Sequence, residues 1–270
     1  EKKLKIAFLW PKTSFSHLAV IKKFGSALEY KPCESISEVF SEVEKARADY
    51  GVVPIENSIE GAVSHTLDML VDSNLVICSE AYVDITHNLL ANCRKEQIKT
   101  VYSNPYVFGQ CRMWLESNLH GAGFIEVSST SKAAEIVAGK KDAACIASVL
   151  AAKEYNLKIL AGNIEDAAHN VTRFLVIGKE MPKPTGHDKT SIVFSVKDRV
   201  GVLYDMLAPF KQYKINLLKI ESRPSKKKAW KYYFFIDLEG HYHDEKVKKA
   251  LEHVEKHCRF LKILGSYPKG

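Results

Sequence analysis

Asn170-Val171-Thr172-Arg173-Phe174-Leu175-Val176-Ile177 sets an uncharged hydroxyl donor and a fixed cation directly ahead of an apolar run. Tyr50-Gly51-Val52-Val53, followed by Pro54-Ile55-Glu56-Asn57-Ser58-Ile59-Glu60-Gly61, joins an apolar run to a polar cluster in the same way. Apolar runs this short read as buried strands. Polar groups at strand ends of an open α/β sheet are where such folds bind ligands. Lys5-Ile6-Ala7-Phe8-Leu9, Leu75-Val76-Ile77-Cys78, Lys99-Thr100-Val101-Tyr102 and Ala143-Ala144-Cys145-Ile146-Ala147 are further strand candidates. Helical patterns fall between them. Ser35 and Glu38 form a capping-box pattern opening a helix through residue 48, and residues 62–70, 106–119 and 132–138 also read as helical. The alternation predicts an α/β protein with helices on mainly parallel sheets.

Residues 179–189 carry Pro182, Pro184, Gly186 and several charges, and read as a linker. Beyond them, strands are expected at 190–196, 215–221, 230–238 and 260–264, with helices at 202–213 and 244–257. The order βαββαβ is that of the ferredoxin-like split unit.

The length of 270 residues fits one large or two ordinary domains. Hydrophobic residues at 46% and charged residues at 26% are ordinary for a globular chain. No apolar run approaches a membrane span. Glu1-Lys2-Lys3-Leu4-Lys5-Ile6 enters a strand without the long apolar region of a signal peptide. The six cysteines, at 33, 78, 93, 111, 145 and 258, form no Cys-x-x-Cys pair and suit a reduced, cytoplasmic protein. The net charge of +7 suits a small anionic substrate and would also suit nucleic acid. Its basic residues are scattered, however, and Lys226-Lys227-Lys228 reads as a solvated hairpin tip. Neither nucleic acid nor membrane is expected as a partner. His253 and His257 stand four apart near His241, His243 and Cys258, but lack the full pattern of a zinc site. No metal is therefore expected.

Val53-Pro54-Ile55-Glu56-Asn57-Ser58-Ile59-Glu60-Gly61, Thr86-His87-Asn88-Leu89-Leu90, Tyr102-Ser103-Asn104-Pro105 with Gln110-Cys111-Arg112, and Asn170-Val171-Thr172-Arg173-Phe174 resemble the motifs of the prephenate dehydratase family. The second module resembles an ACT regulatory domain through Gly201-Val202-Leu203-Tyr204-Asp205-Met206-Leu207 and Glu221-Ser222-Arg223-Pro224. The resemblance implies a catalytic domain over residues 1–180, built as two periplasmic-binding-protein-like lobes with chain crossings near 80 and 165. It implies an ACT domain over residues 188–270 and a homodimer or homotetramer. Two departures stand out. The family's first loop, Gly-Pro-x-Gly-Thr-Phe/Tyr-Ser, is here Trp10-Pro11-Lys12-Thr13-Ser14-Phe15-Ser16, without either glycine. Asn104 and Tyr106 stand where histidine and glutamine are common.

The implied reaction takes prephenate to phenylpyruvate, water and carbon dioxide in L-phenylalanine biosynthesis. The product ring is itself the electron sink, so no cofactor is expected. Thr172 is the candidate for assisting hydroxide departure, as a positioned donor. Ser14, Ser16, Asn57, Ser58, Ser103, Gln110, Thr130, Ser131, Asn170 and Arg173 are candidate substrate-binding residues. Several have an alternative. Neighbouring side chains on a strand face opposite ways, so Thr172 is taken to face substrate and Arg173 either to bind a carboxylate or to play a structural role. Ser129, Thr130 and Ser131 either cap their helix or offer its N-terminus to a carboxylate. Gln110 and Asn170 either position substrate or tie loops together. His87 is either a general base or a core-bonded histidine.

In the second module, the resemblance assigns L-phenylalanine, as effector, to Gly201, Val202, Leu203, Asn216, Leu217, Glu221, Ser222, Arg223 and Pro224. Gly201 as a mere helix cap is the alternative. Two other functions remain open: a non-catalytic amino-acid or keto-acid sensor, suggested by the altered first loop, and a prephenate decarboxylase, opposed by Thr172.

Overall fold

The computed structural model describes residues 3–167, 169–197, 199–225 and 232–270, so the Lys226-Lys227-Lys228 run lies outside the described residues. In chain order the first region contains β1 (Lys5–Leu9), α1 (Phe15–Phe24), β2 (Glu29–Cys33), α2 (Ile36–Glu44), β3 (Tyr50–Asn57), β4 (Gly61–Ala62), α3 (Ser64–Asp72) and β5 (Val76–Asp84). It continues through β6 (Asn88–Ala91), β7 (Thr100–Ser103), α4 (Pro105–Gln110), α5 (Arg112–Asn118), β8 (Gly123–Glu126), α6 (Thr130–Ala138), β9 (Ala143–Ala147), α7 (Val149–Glu154), β10 (Lys158–Ala161) and β11 (Val171–Gly178). One sheet has the order β2-β1-β3-β11-β5, with β4 paired to β3, and a second has the order β10-β6-β9-β7-β8.

The second sheet is mixed, which corrects the expectation of mainly parallel sheets. β7 runs parallel to β8 and β9, whereas β6 opposes both β9 and β10. Strands β7 to β10 are joined through helices, the connections that parallel neighbours require. β6 enters with no helix ahead of it, only residues 85–87, and wedges in antiparallel. Period-two alternation then builds the core on both faces. Ala144 and Ile146 of β9 pack with Leu89, Val101 and Leu115. Ala143, Cys145 and Ala147 pack with Leu90, Ala133, Ala134 and Val137.

Two helix expectations change. The helical pattern at 62–70 starts later, at Ser64, because Gly61 and Ala62 first pair with Asn57 and Glu56. The pattern at 106–119 is two helices, interrupted at Cys111.

The second module comprises β12 (Asp188–Ser195), α8 (Val202–Gln212), β13 (Leu217–Pro224), β14 (Tyr232–Glu239), α9 (Glu245–His257) and β15 (Phe260–Pro268). Its antiparallel sheet has the order β13-β14-β12-β15, the ferredoxin-like arrangement. Ile192, Phe194, Met206, Phe210, Ile236, Leu238, Val247 and Val254 fill its core. β15 runs beyond residue 264 because its end is held by buried polar pairs that apolar patterning does not detect. Ser266 bonds Thr190 at 2.6 Å, and the Tyr267 hydroxyl bonds Ser191 at 2.6 Å.

The chain packs as two compact units, Glu1–Val39 with Val52–Val63 and Ala81–Phe174, and Phe40–Gly51 with Ser64–Glu80 and Leu175–Gly270. Within the latter, β15 lies hard against β5: a Cβ on Gly265 would fall 2.3 Å from the Ile77 carbonyl oxygen. Backbone cannot yield as a flexible side chain does. Gly265→Ala is therefore expected to destabilise the protein by about 2–3 kcal/mol, in the range of overpacking changes. Urea denaturation checks this, and an unchanged midpoint contradicts the close approach.

Candidate active site

The hairpin from β3 to β4 turns at Gly61, whose φ of 83° lies in the left-handed region that glycine enters without strain. Asn57 builds that turn. Its Oδ1 accepts from Ile59 N at 2.9 Å and from Glu60 N at 3.0 Å. Its Nδ2 donates to Asn170 Oδ1 at 2.7 Å and to Thr172 Oγ1 at 2.9 Å. Both hydrogens and the carbonyl oxygen are thereby occupied. In this arrangement Asn57 ties the turn to Asn170 and Thr172.

Thr172 Oγ1 is an acceptor in that bond, so its own proton points elsewhere. Ser58 ties the same corner: its hydroxyl donates to the His169 carbonyl at 3.1 Å and accepts from Val171 N at 2.9 Å. Arg173 takes the opposite side of β11, as strand alternation requires. It is 5% exposed and donates from Nη1 to Glu56 Oε1 at 3.0 Å.

Gln110 approaches the hairpin from the end of α4, donating weakly to Glu60 Oε1 at 3.4 Å. Its own Oε1 lies 2.7 Å from His87 Nε2. His87 is 2% exposed. Burial lowers its pKa below the ordinary 6.5, against the opposing effects of Gln110 and Glu165. The neutral ring donates from Nε2 to Gln110, and Nδ1 has no hydrogen-bond partner among the described residues. His87 is thus bonded in the core.

The first loop gathers a separate group. Thr13, at φ 72°, adopts the conformation glycine would supply. Ser131 donates to the Lys12 carbonyl at 2.9 Å, so the Thr13 hydroxyl donates to Ser131, at 2.7 Å. Ser148 donates to the Thr13 carbonyl at 2.7 Å, and Thr13 N donates to His17 Nδ1 at 3.1 Å. Ser14 caps α1, accepting from His17 N, and Ser16 is buried behind it. Ser129 caps α6 by accepting from Lys132 N, with the half-buried Thr130 as the first helical residue. Ser103 is fully buried and donates to the Ile146 carbonyl at 3.0 Å. Main-chain carbonyls thus hold the protons of Ser103 and Ser131.

Asn57, Ser58, Asn170, Thr172 and Arg173 are therefore brought together, with Gln110 touching their rim. Ser14, Ser16, Thr130 and Ser131 belong to the first-loop group. Sequence reasoning missed Ser148, His17 and the linking role of Glu60. No local signal marks Ser148, whose partner is 135 residues away.

In the second module, Gly201 at φ 77° caps α8, with Val202 packed on the core and Leu203 half-buried. Asn216 is exposed and its carbonyl accepts from Glu239 N at 2.9 Å. Leu217, Glu221, Ser222, Arg223 and Pro224 lie on β13, which alternates half-buried and exposed positions.

A family model described as "Prephenate dehydratase" matches residues 6–182. The chain belongs to the prephenate dehydratase family. A second model, "ACT domain", matches residues 190–255. Over its whole length the chain is 54% identical to a bifunctional chorismate mutase/prephenate dehydratase of Aquifex aeolicus, spanning 75% of that protein. It is 43% identical to the prephenate dehydratase of Methanocaldococcus jannaschii, with 97% of each chain covered. The solved prephenate dehydratase of Arthrobacter aurescens, in complex with L-Phe, superposes with a TM-score of 0.89 at 33% identity, covering 98% of this chain and 90% of that one. No described helix is long and apolar enough to cross a membrane. Burial pushes the Cys111 and Cys145 thiols up to about 12, so neither supplies a thiolate at neutral pH.

The His87 ring has a stability consequence. Its folded pKa lies below its unfolded one, so the unfolded state binds the extra proton. Its contribution to stability is complete above about pH 6.5 and is lost as pH falls toward the folded value. Thermal midpoints measured across this window should fall less for His87→Gln than for the wild type. Parallel curves for the two proteins contradict this reading.

Proposed function

We propose that the chain converts prephenate to phenylpyruvate, with Thr172 assisting departure of the ring hydroxyl. The bond from the ring to its carboxylate breaks, and its electron pair enters the ring as carbon dioxide leaves. The ring C–O bond breaks, and the departing oxygen takes a proton and leaves as water, one solvent proton being consumed overall. Aromatisation supplies the driving force, and the enzyme supplies a donor aimed at the leaving oxygen.

The observation that carries this reading is the 2.9 Å bond from Asn57 to Thr172. It occupies a lone pair of the threonine oxygen and leaves its proton for the leaving group. Threonine is a very weak acid, so the role is strong hydrogen bonding with relay of a solvent proton, not free ionisation. Arg173 and Glu56 hold the strand beneath. Thr130 and the backbone N–H groups opening α6 are donors suited to a substrate carboxylate.

The second module binds L-phenylalanine through the segments around Gly201 and residues 221–224, and lowers dehydratase activity. The ACT match and the L-Phe complex of the Arthrobacter aurescens relative support this. The protein works in the cytoplasm, which its six cysteines, none of them in a Cys-x-x-Cys pair, favour. It assembles as a homodimer or homotetramer, in which a second copy covers the exposed Leu218 and Ile220 of the edge strand β13.

Incubation with prephenate, following phenylpyruvate and carbon dioxide together, tests the activity. Both should form in equal amounts. Carbon dioxide without phenylpyruvate indicates a decarboxylase, and neither product indicates a sensor. Thr172→Val should lower kcat by about 10²–10⁴-fold with KM little changed. Asn57→Ala should lower kcat less, because the hydroxyl remains but loses its direction. Unchanged turnover in Thr172→Val removes that residue from the mechanism.

A further inference from the structure

We propose that the ion pair between Arg223 and Asp68 is the contact through which the second module governs dehydratase activity, so that Arg223 acts as a coupling residue and not as an effector ligand. This rests on the phenylalanine regulation proposed above. Arg223 lies on β13 within the Glu221-Ser222-Arg223-Pro224 segment. Its guanidinium does not stand open for a ligand. Nε donates to Asp68 Oδ1 at 2.5 Å and Nη2 donates to Asp68 Oδ2 at 2.7 Å, a two-pronged grip on one carboxylate. The pair is largely shielded, with side chains 17% and 23% exposed. A shielded bidentate pair has a preferred geometry, and displacing it is costly, unlike a solvated surface pair.

Asp68 lies in α3, and a second strand of the module holds the same helix. From β15, Lys262 Nζ donates to the carbonyls of Leu70 at 2.8 Å and Val71 at 3.1 Å, and also to that of Ser73. Those oxygens are the acceptors a helix leaves unpaired at its C-terminus, where a cation is favoured. β13 and β15 are opposite edges of the sheet, and both reach α3. The two grips differ in kind. Lys262 binds main chain and anchors the helix whatever the effector does. Arg223 sits in the segment assigned to the effector, so a ligand that shifts β13 acts on Asp68 directly. In sequence, α3 follows Gly61-Ala62-Val63 at once. This is the return arm of the hairpin on which Asn57 aligns Thr172. A change in how α3 is held therefore reaches the hairpin through covalent chain, and the Thr172 hydroxyl through the bond from Asn57.

The test uses the full chain and the variants Asp68→Asn and Asp68→Ala. Phenylalanine binding is measured by calorimetry, and phenylpyruvate formation with and without saturating phenylalanine. Basal turnover and phenylalanine affinity should stay within about threefold of wild type, while inhibition at saturation should weaken by about tenfold or more, in the range of allosteric couplings. Full inhibition of both variants overturns the proposal, even if their thermal midpoints fall, because the pair is then only structural. Loss of phenylalanine binding in both also overturns it, making the pair part of the ligand site. If wild-type protein neither binds phenylalanine nor responds to it, the regulatory reading fails and carries this proposal with it. Wild-type inhibition that persists in the variants sinks the coupling pair alone.

Discussion

The arrangement around Thr172 depends on one amide whose hydrogen-bonding groups are all engaged. Asn57 engages two backbone N–H groups with its oxygen and two side chains with its nitrogen. Each such bond returns about 0.5–1.5 kcal/mol net. The partners therefore enforce one another's positions. The turn sets the amide, the amide sets Asn170 and Thr172, and β11 carries both. A hydroxyl on a free rotor would point its proton anywhere. Here one lone pair is already taken, and the orientation is a property of the fold.

The first loop shows how a departure from a family's glycine pattern is accommodated. A left-handed threonine costs of order 1–3 kcal/mol in backbone strain. Thr13 makes three contacts that glycine would not make or would make without steric definition: its hydroxyl to Ser131, its carbonyl from Ser148 and its N–H to His17. The one contact peculiar to threonine, from its hydroxyl to Ser131, contributes about 0.5–1.5 kcal/mol net and offsets part of that strain. The side chain that glycine lacks becomes a tether to the start of α6. The hydroxyls of Ser131 and Ser148 are occupied in holding the loop.

The second module is fastened to its neighbours by groups that apolar patterning does not reveal. Lys189 and Glu80 form a buried pair at 2.8 Å, Gly265 meets the backbone of Ile77, and Lys262 and Arg223 hold α3. Charges this deeply placed are tolerable only when paired with good geometry. They specify one docking arrangement, where a purely apolar face would accept several.

The sequence by itself determined the elements. β9 and β11 are apolar runs of strand length, α9 repeats its buried Val247, Ala250, Leu251 and Val254 at helical spacing, and the order βαββαβ identifies the second module. The family was legible too, because its motifs are long contiguous strings. Only the tertiary structure decided what most candidate donors do. Asn57 meets its partners across 113 and 115 residues, Thr13 meets Ser131 across 118, and Arg223 meets Asp68 across 155. Periodicity reports which face of an element is buried. It carries no information on which hydroxyl or amide proton a distant carbonyl will take, because that depends on register between sheets and on how loops close. A serine that binds substrate and a serine that tethers a loop are the same letter, and the fold alone separates them.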